Sequence, residues 1–438
     1  MPPLWELFEL VVQSYVYAIL GVGMGTLFPF LLMIVLTIVF MQHNRQAQLE
    51  TQLFGMPFSR PLRQTLVSLG YGLIGGLLAS MLMVSLGIAL SESTGIQYVW
   101  PVVILLMMIR PRFMCFAYGG GIVGVLSLLL KGLAELVPTV ASFPLAAGLM
   151  AVDLPSLMAL VALLHLTESF LIFVSGHINA SPIIMESPRG EVVGGFMLQR
   201  FWPLPLAALL AMSVSPELIS GDSIAMPDWW PLLQPGVTPE PGSELLLTVL
   251  PIVAALGYSD IAVAHSPKEK SRISARNLLL YSIVLLGLAL IAGHWRFLQL
   301  LPVLFAPLGH EYLIQVGNSR EWAKQPRYRG RARGVTLLTV LPGSPAADKG
   351  LNTGWVVLNV NGYDVNTRRE LETALQSFPG LADLEMVSPE GEHKQVQVHQ
   401  RSGRLGLVPM PDPDEQGTFL KLQSKGFLSR KWEQWRKR

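Results

Sequence analysis

The chain has little charge and almost no cysteine. Of its 438 residues only 14% are Asp, Glu, Lys or Arg and 51% are hydrophobic, whereas a globular domain carries about 25% charge. That excludes an ordinary water-soluble enzyme. One cysteine, Cys115, excludes an internal disulfide and a multi-cysteine metal cluster. Lying in an apolar run, it reads as a buried small hydrophobe. No cleavable signal peptide is expected, because Glu6 and Glu9 stand where a basic n-region would, and the apolar stretch beyond them is too long.

Several chemistries are absent as well. Zinc proteolysis needs His-Glu-x-x-His on one helix face. His310-Glu311 is followed by Tyr312, Leu313 and Ile314, and His165-Leu166-Thr167-Glu168 offers no second histidine at the required offset. Phe173-Val174-Ser175-Gly176 lacks the leading glycine of a rhomboid turn, and Asp153 and Asp260 lack the contexts of aspartyl intramembrane proteases. No Gly-Lys-Ser/Thr loop is present to cradle a phosphate. No catalytic residue, metal ligand or cofactor is expected. Ionisable residues within spans call for a role: His165, Glu168 and His177 line a polar cavity or pair within the bundle for structure, and the second is favoured.

What the chain does have is long apolar runs. A helical span needs about 20 such residues. Candidates are 15–41, 66–90, 96–109, 113–130, 154–175, 201–219, 245–264 and 277–295, with 297–309 short for a span and 133–152 broken by Pro138, Pro144 and Asp153. The expectation is an α-helical polytopic membrane domain over residues 1–319 with about eight transmembrane helices. Gly70, Gly72, Gly75, Gly76 and Ser80, and again Gly119, Gly120, Gly121 and Gly124, let helices approach closely, for packing within the chain or along a homo-oligomer seam. Basic residues gather at Arg45, Arg60 and Arg63, at Arg110 and Arg112, and at Lys268, Lys270, Arg272 and Arg276, whereas Asp222, Asp228, Glu240 and Glu244 share a connection without Lys or Arg. The positive-inside rule puts the basic loops in the cytoplasm. A basic linker, 320–333, then leaves the C-terminal part cytoplasmic.

From Gly334 the pattern becomes short β-type stretches. Val335 to Leu341 reads as a strand, Pro342-Gly343-Ser344-Pro345 as a turn opening a short helix to Lys349, and Trp355 to Val360 as a strand ended by Asn361-Gly362. Thr367 with Glu370 forms a capping box for a helix to about Phe378. Leu381 to Ser388 and His393 to Gln400 alternate as a hairpin around Pro389-Glu390-Gly391. This order, with Gly334-Val335, Gly343-Ser344-Pro345-Ala346-Ala347, Gly350-Leu351 and Val360-Asn361-Gly362, resembles a small α+β PDZ domain over residues 334–409. Trp355 departs from the Asp that commonly follows Gly354 there. PDZ domains take a peptide as an added strand beside their longer helix. Gly403-Arg404-Leu405-Gly406-Leu407 follows the hairpin rather than preceding Val335, which looks like the strand order of PDZ domains in site-2 proteases. The peptide-binding residues expected from this resemblance are Arg404, Leu405, Gly406 and Leu407 on one wall, with Leu371, Ala374 and Leu375 on the other. An edge strand leaving the domain is the plainer alternative. Residues 410–438 begin as a Pro-rich linker and end in a basic, aromatic tail from Leu420 to Arg438 that suits a membrane surface, a partner helix or a disordered tail.

The whole arrangement resembles the MinJ-like family of polytopic membrane PDZ proteins in Gram-positive bacteria. The resemblance implies a scaffold in division-site selection, at septum and poles, that bridges DivIVA to the Min system through MinD. Partners would be these proteins and the lipid bilayer, not nucleic acid. Two other hypotheses stand beside it: an intramembrane metalloprotease of the site-2 type or its inactive relative, and a transporter or sensor gated by a PDZ domain.

Overall fold

The computed structural model describes residues 2–20, 27–219, 223–389, 391–401 and 404–412. Helices come first: α1 (Pro2–Leu20), α2 (Leu27–Phe54), α3 (Pro61–Leu86), α4 (Ile96–Ile109), α5 (Phe116–Leu136), α6 (Pro144–Met150) and α7 (Leu154–Ser175). Then come β1 (Ser181–Glu186), β2 (Val192–Val214) and β3 (Glu244–Ala262), followed by α8 (Pro267–His294) and α9 (Leu300–Ala323). Among the described residues seven helices are long and apolar enough to cross a membrane: α2, α3, Glu92–Ile109, α5, α7, α8 and Arg296–Ala323. Large apolar side chains such as Phe30, Met33, Leu66, Ile104, Leu129 and Ile283 point outward from these helices, as lipid permits and water would not.

Two expectations are corrected here. Residues 201–219 and 245–264 are not helical spans but fall largely in the paired strands β2 and β3. The stretch 15–41 is divided between α1 and α2, and 297–309 is the first half of a helix long enough to cross. Residues 133–152 are broken near their prolines, with a 3-10 turn, Pro138–Ser142, and the 7-residue α6, too short to cross. Hydropathy alone cannot tell a buried apolar strand from a helix. Its error in 201–219 has a local cause, because Pro203 and Pro205 alternate along β2.

That alternation solves a bonding problem. Along one edge β2 pairs with β3 from Phe196↔Ala262 to Val214↔Glu244. Its other edge pairs with β1 from Val192 to Met197 and beyond that lies on α3, where every second residue turns its backbone. Prolines at 203 and 205 have no N–H to satisfy. Their carbonyl oxygens sit against Gly72 and Gly76, where a Cβ would overlap them. Further on, the Ala207 N–H donates to Ser80 Oγ (2.8 Å), whose hydroxyl donates to the Gly76 carbonyl (2.7 Å). Leu90 closes the edge: its N–H donates to the Leu209 carbonyl (2.7 Å) and its carbonyl accepts from Ala211 N–H (2.8 Å). Gly72, Gly75, Gly76 and Ser80 of α3 therefore serve packing within the chain, whereas Gly70 faces open space.

The β3–α8 turn is held by one side chain. Glu321, at the end of α9, accepts the N–H groups of Val263 (2.8 Å), Ala264 (2.7 Å) and His265 (3.1 Å), and also meets His265 Nδ1 (2.7 Å). Buried Lys270 lies 3.6 Å from Glu321 and 3.3 Å from Asp260. Part of the expected basic loop is thus neutralised inside the protein.

The remaining elements are β4 (Tyr328–Arg329), β5 (Val335–Val340), α10 (Pro345–Asp348), β6 (Val356–Val360), β7 (Tyr363–Asp364), α11 (Arg368–Ser377), β8 (Leu381–Val387), β9 (His393–His399) and β10 (Leu407–Pro409). They follow the expected order within a residue or two. Asn361 (φ 51°) and Gly362 (φ 87°) make the tight turn, and Thr367 with Glu370 makes the capping box. The second sheet runs β10-β5-β6-β8-β9, with β7 beside β6, over a core including Leu337, Val357, Leu371, Leu384 and Val398. The 320–333 stretch is not free chain: it starts inside α9, and β4 pairs with Val193 and Gly194 of β2. Gly194 also packs beneath Leu338 and Met410.

If the α3–β2 contact carries the fold, Gly76→Leu will destabilise the full chain by about 2–4 kcal/mol, read as a lower thermal midpoint in detergent. Gly70→Ala, where a methyl meets open space, will be neutral or gain up to about 1 kcal/mol from helix propensity.

Candidate functional site

Two constellations stand out, one on each side of β4. The first is the β10–α11 edge of the C-terminal sheet. Here β10 pairs with β5 through Leu407↔Val340 and Val408↔Thr339, which leaves its opposite side as the end of the sheet. Just before it, the Leu405 carbonyl accepts from Ala346 N–H (3.1 Å) and the Gly406 carbonyl from Leu341 N–H (2.8 Å). A trans peptide holds its N–H opposite its carbonyl. The Leu407 N–H is therefore turned away from β5, and the Gly406 N–H away from α10. Gly406 makes this possible at φ 82°, and a Cβ there would overlap Ser344. Successive N–H groups around such a residue form an anion-binding concavity.

The sequence-predicted residues divide between core and surface. Leu371 and Leu405 are 1% and 2% exposed and belong to the core, with Ala374, Leu375 and Leu407 packed half-buried against it, while Arg404 is exposed. Asp412 ties the strand side to the helix side, its carboxylate accepting the Arg368 N–H at the start of α11 (2.8 and 3.1 Å). Gly403 and the basic tail from Leu420 to Arg438 lie outside the described residues.

The second constellation lies among the membrane-length helices. Cys115 is the N-cap of α5, His165 lies in α7 and His310 in α9. The ligand atoms of these three residues are within 4.8 Å of one another. Cys115 Sγ is 3.2 Å from His165 Nε2 and 3.9 Å from His310 Nε2. His165 Nδ1 donates to the Val161 carbonyl one turn back (2.7 Å), so Nε2 carries the lone pair facing sulfur. The Ala117 N–H points at Cys115 Sγ (3.4 Å). Tyr281 packs edge-on against both imidazoles, and Tyr118 against that of His310. Tyr118 Oη donates to Glu311 (2.6 Å), which also pairs with Arg112 (2.9 Å).

Reading Cys115 as a mere small hydrophobe is therefore incomplete, since the sulfur faces two histidines from distant helices. The available signal was three ligand-type residues, each within or capping an apolar run. Their convergence depends on helix packing, which spacing alone does not encode. His177 does not join them. Burial and then the charges of Lys268, Arg272 and Arg200 push its pKa down, which favours the neutral ring.

No family model matches the chain. It is 26% identical over 351 residues to the cell division topological determinant MinJ of Bacillus subtilis (strain 168), covering 78% of this chain and 83% of that one. Over 83 residues it is 35% identical to the MinJ proteins of Lacticaseibacillus paracasei and Lacticaseibacillus casei (strain BD-II), covering 18% of this chain and 23% of theirs. Those names describe a division determinant and no catalytic activity. Across most of its length, then, the chain is similar to the MinJ protein of Bacillus subtilis.

Proposed function

We propose that the chain is a membrane-held scaffold in division-site selection whose C-terminal sheet works as a PDZ domain over residues 334–409. The observation that carries this reading is the open side of β10, where the Leu407 N–H is turned away from β5 and the Gly406 N–H away from α10. Asp412, just past this edge strand, ties it to the start of α11. A peptide entering there would extend the sheet by backbone pairing. Its terminal carboxylate would take the two N–H groups, and its apolar side chain would meet Ala374, Leu375 and Leu407. Arg404 would add a positive charge at the mouth.

The MinJ-like character supplies the cellular setting. The proposed placement is septum and poles, with the sheet on the cytoplasmic side, and the proposed partners are DivIVA and MinD. The bilayer itself is the other partner. No reacting group is needed in this role, because affinity comes from strand pairing and selectivity from the side chain seated between strand and helix.

A fluorescent fusion of the full chain in a growing Gram-positive rod is expected to gather at septa and poles. Ala374→Trp, which fills the space beside α11, should disperse it while membrane levels stay constant. Uniform membrane signal from the unsubstituted chain would count decisively against the proposal. Separately, Gly406→Ala forces a side chain into a left-handed backbone against Ser344. It should destabilise the C-terminal sheet by about 1–3 kcal/mol, seen as faster pulse proteolysis of that region in the full chain.

A further inference from the structure

We propose that Cys115, His165 and His310 bind a single thiophilic divalent cation of the zinc type. The donor set is one thiolate sulfur and two imidazole nitrogens, a combination suited to zinc and poorly suited to magnesium or calcium. The geometry agrees. Bond lengths of about 2.3 Å to sulfur and 2.0–2.1 Å to nitrogen at tetrahedral angles place S and N about 3.6 Å apart. The observed separations of 3.2 and 3.9 Å lie on either side of that value.

The surroundings are those of a prepared ligand set. The Val161 carbonyl fixes the tautomer of His165, so its Nε2 offers a lone pair without rearrangement, which is the usual outer-sphere support for a metal-bound histidine. The sulfur sits at the N-terminus of α5 with the Ala117 N–H aimed at it. Among the described residues His310 Nδ1 has no hydrogen-bond partner, so neither tautomer of that ring is fixed. Tyr281 and Tyr118 wall the cluster with aromatic surface, and ligand-type residues inside a membrane bundle are seldom kept without use. On binding, the Cys115 S–H bond is replaced by a sulfur–metal bond and one proton leaves to solvent, with no change of oxidation state. Three protein ligands leave one tetrahedral position open for water. The cation would pin α5, α7 and α9 together.

The test uses the full chain purified in detergent with a tag free of histidine and titrated with Co2+. The expected result is one Co2+ per chain, with a thiolate-to-metal charge-transfer band and the visible bands of a tetrahedral site, both erased by competing Zn2+. Cys115→Ser should abolish the charge-transfer band. His165→Gln and His310→Gln should each weaken binding by at least about 100-fold, and His294→Gln, on an exposed histidine of α8, should leave it unchanged. Absence of the band in the unsubstituted chain would overturn the proposal and leave a thiol–imidazole hydrogen bond. So would its persistence in Cys115→Ser, which would mark adventitious binding. Because the unsubstituted chain alone can fail this test, a variant that misfolds does not protect the idea. Failure here would leave septal localisation, and the role proposed above, untouched.

Discussion

Backbone amides buried at membrane depth have no water to turn to, and each one left without a partner costs several kcal/mol. That constraint organises the first 262 residues around β2. A strand among membrane-length helices is tolerable only if both of its edges are covered by protein. One edge is covered by β3 and the other by β1 and then α3, and the contact with α3 needs several sequence features at once. Prolines remove the donors at 203 and 205, glycines on α3 admit the carbonyls, and Ser80 and Leu90 take the backbone groups that remain. Each feature is unremarkable alone; removing one leaves the others mismatched.

Much of this was legible in the sequence, but unevenly. The C-terminal elements were readable because their signals are local: the Asn361-Gly362 turn, the Thr367–Glu370 capping box and the two alternating strands fix their own boundaries. The membrane-length helices were readable by length and apolarity, with the boundaries of α1, α2 and α9 misjudged. The β2–β3 hairpin was not readable as such. An apolar run long enough to span looks the same as a strand buried on both faces, and only the spacing of Pro203 and Pro205 hinted otherwise. The Cys115–His165–His310 cluster was beyond sequence reasoning, since its members lie 50 and 195 residues from the sulfur.

Charge shows a similar split between composition and structure. Basic residues counted as loop markers are partly consumed within the protein. Lys270 is buried against Asp260 and Glu321, and Arg112 is paired with Glu311. The positive character left to face a lipid headgroup layer is smaller than a count along the chain suggests. Glu321 carries a second duty, because one carboxylate both balances Lys270 and closes three backbone amides at the start of α8. Loss of that side chain would expose all three amides at once.

The two-residue strand β4 has a mechanical meaning. A module hung on a flexible tether swivels freely, and whatever it grips feels no preferred direction. Here Tyr328 and Arg329 are stitched into the edge of β2, and Leu338 and Met410 rest on Gly194. The terminal sheet is therefore mounted like a bracket rather than a float. Force or torque applied to anything it holds would pass directly into the helices.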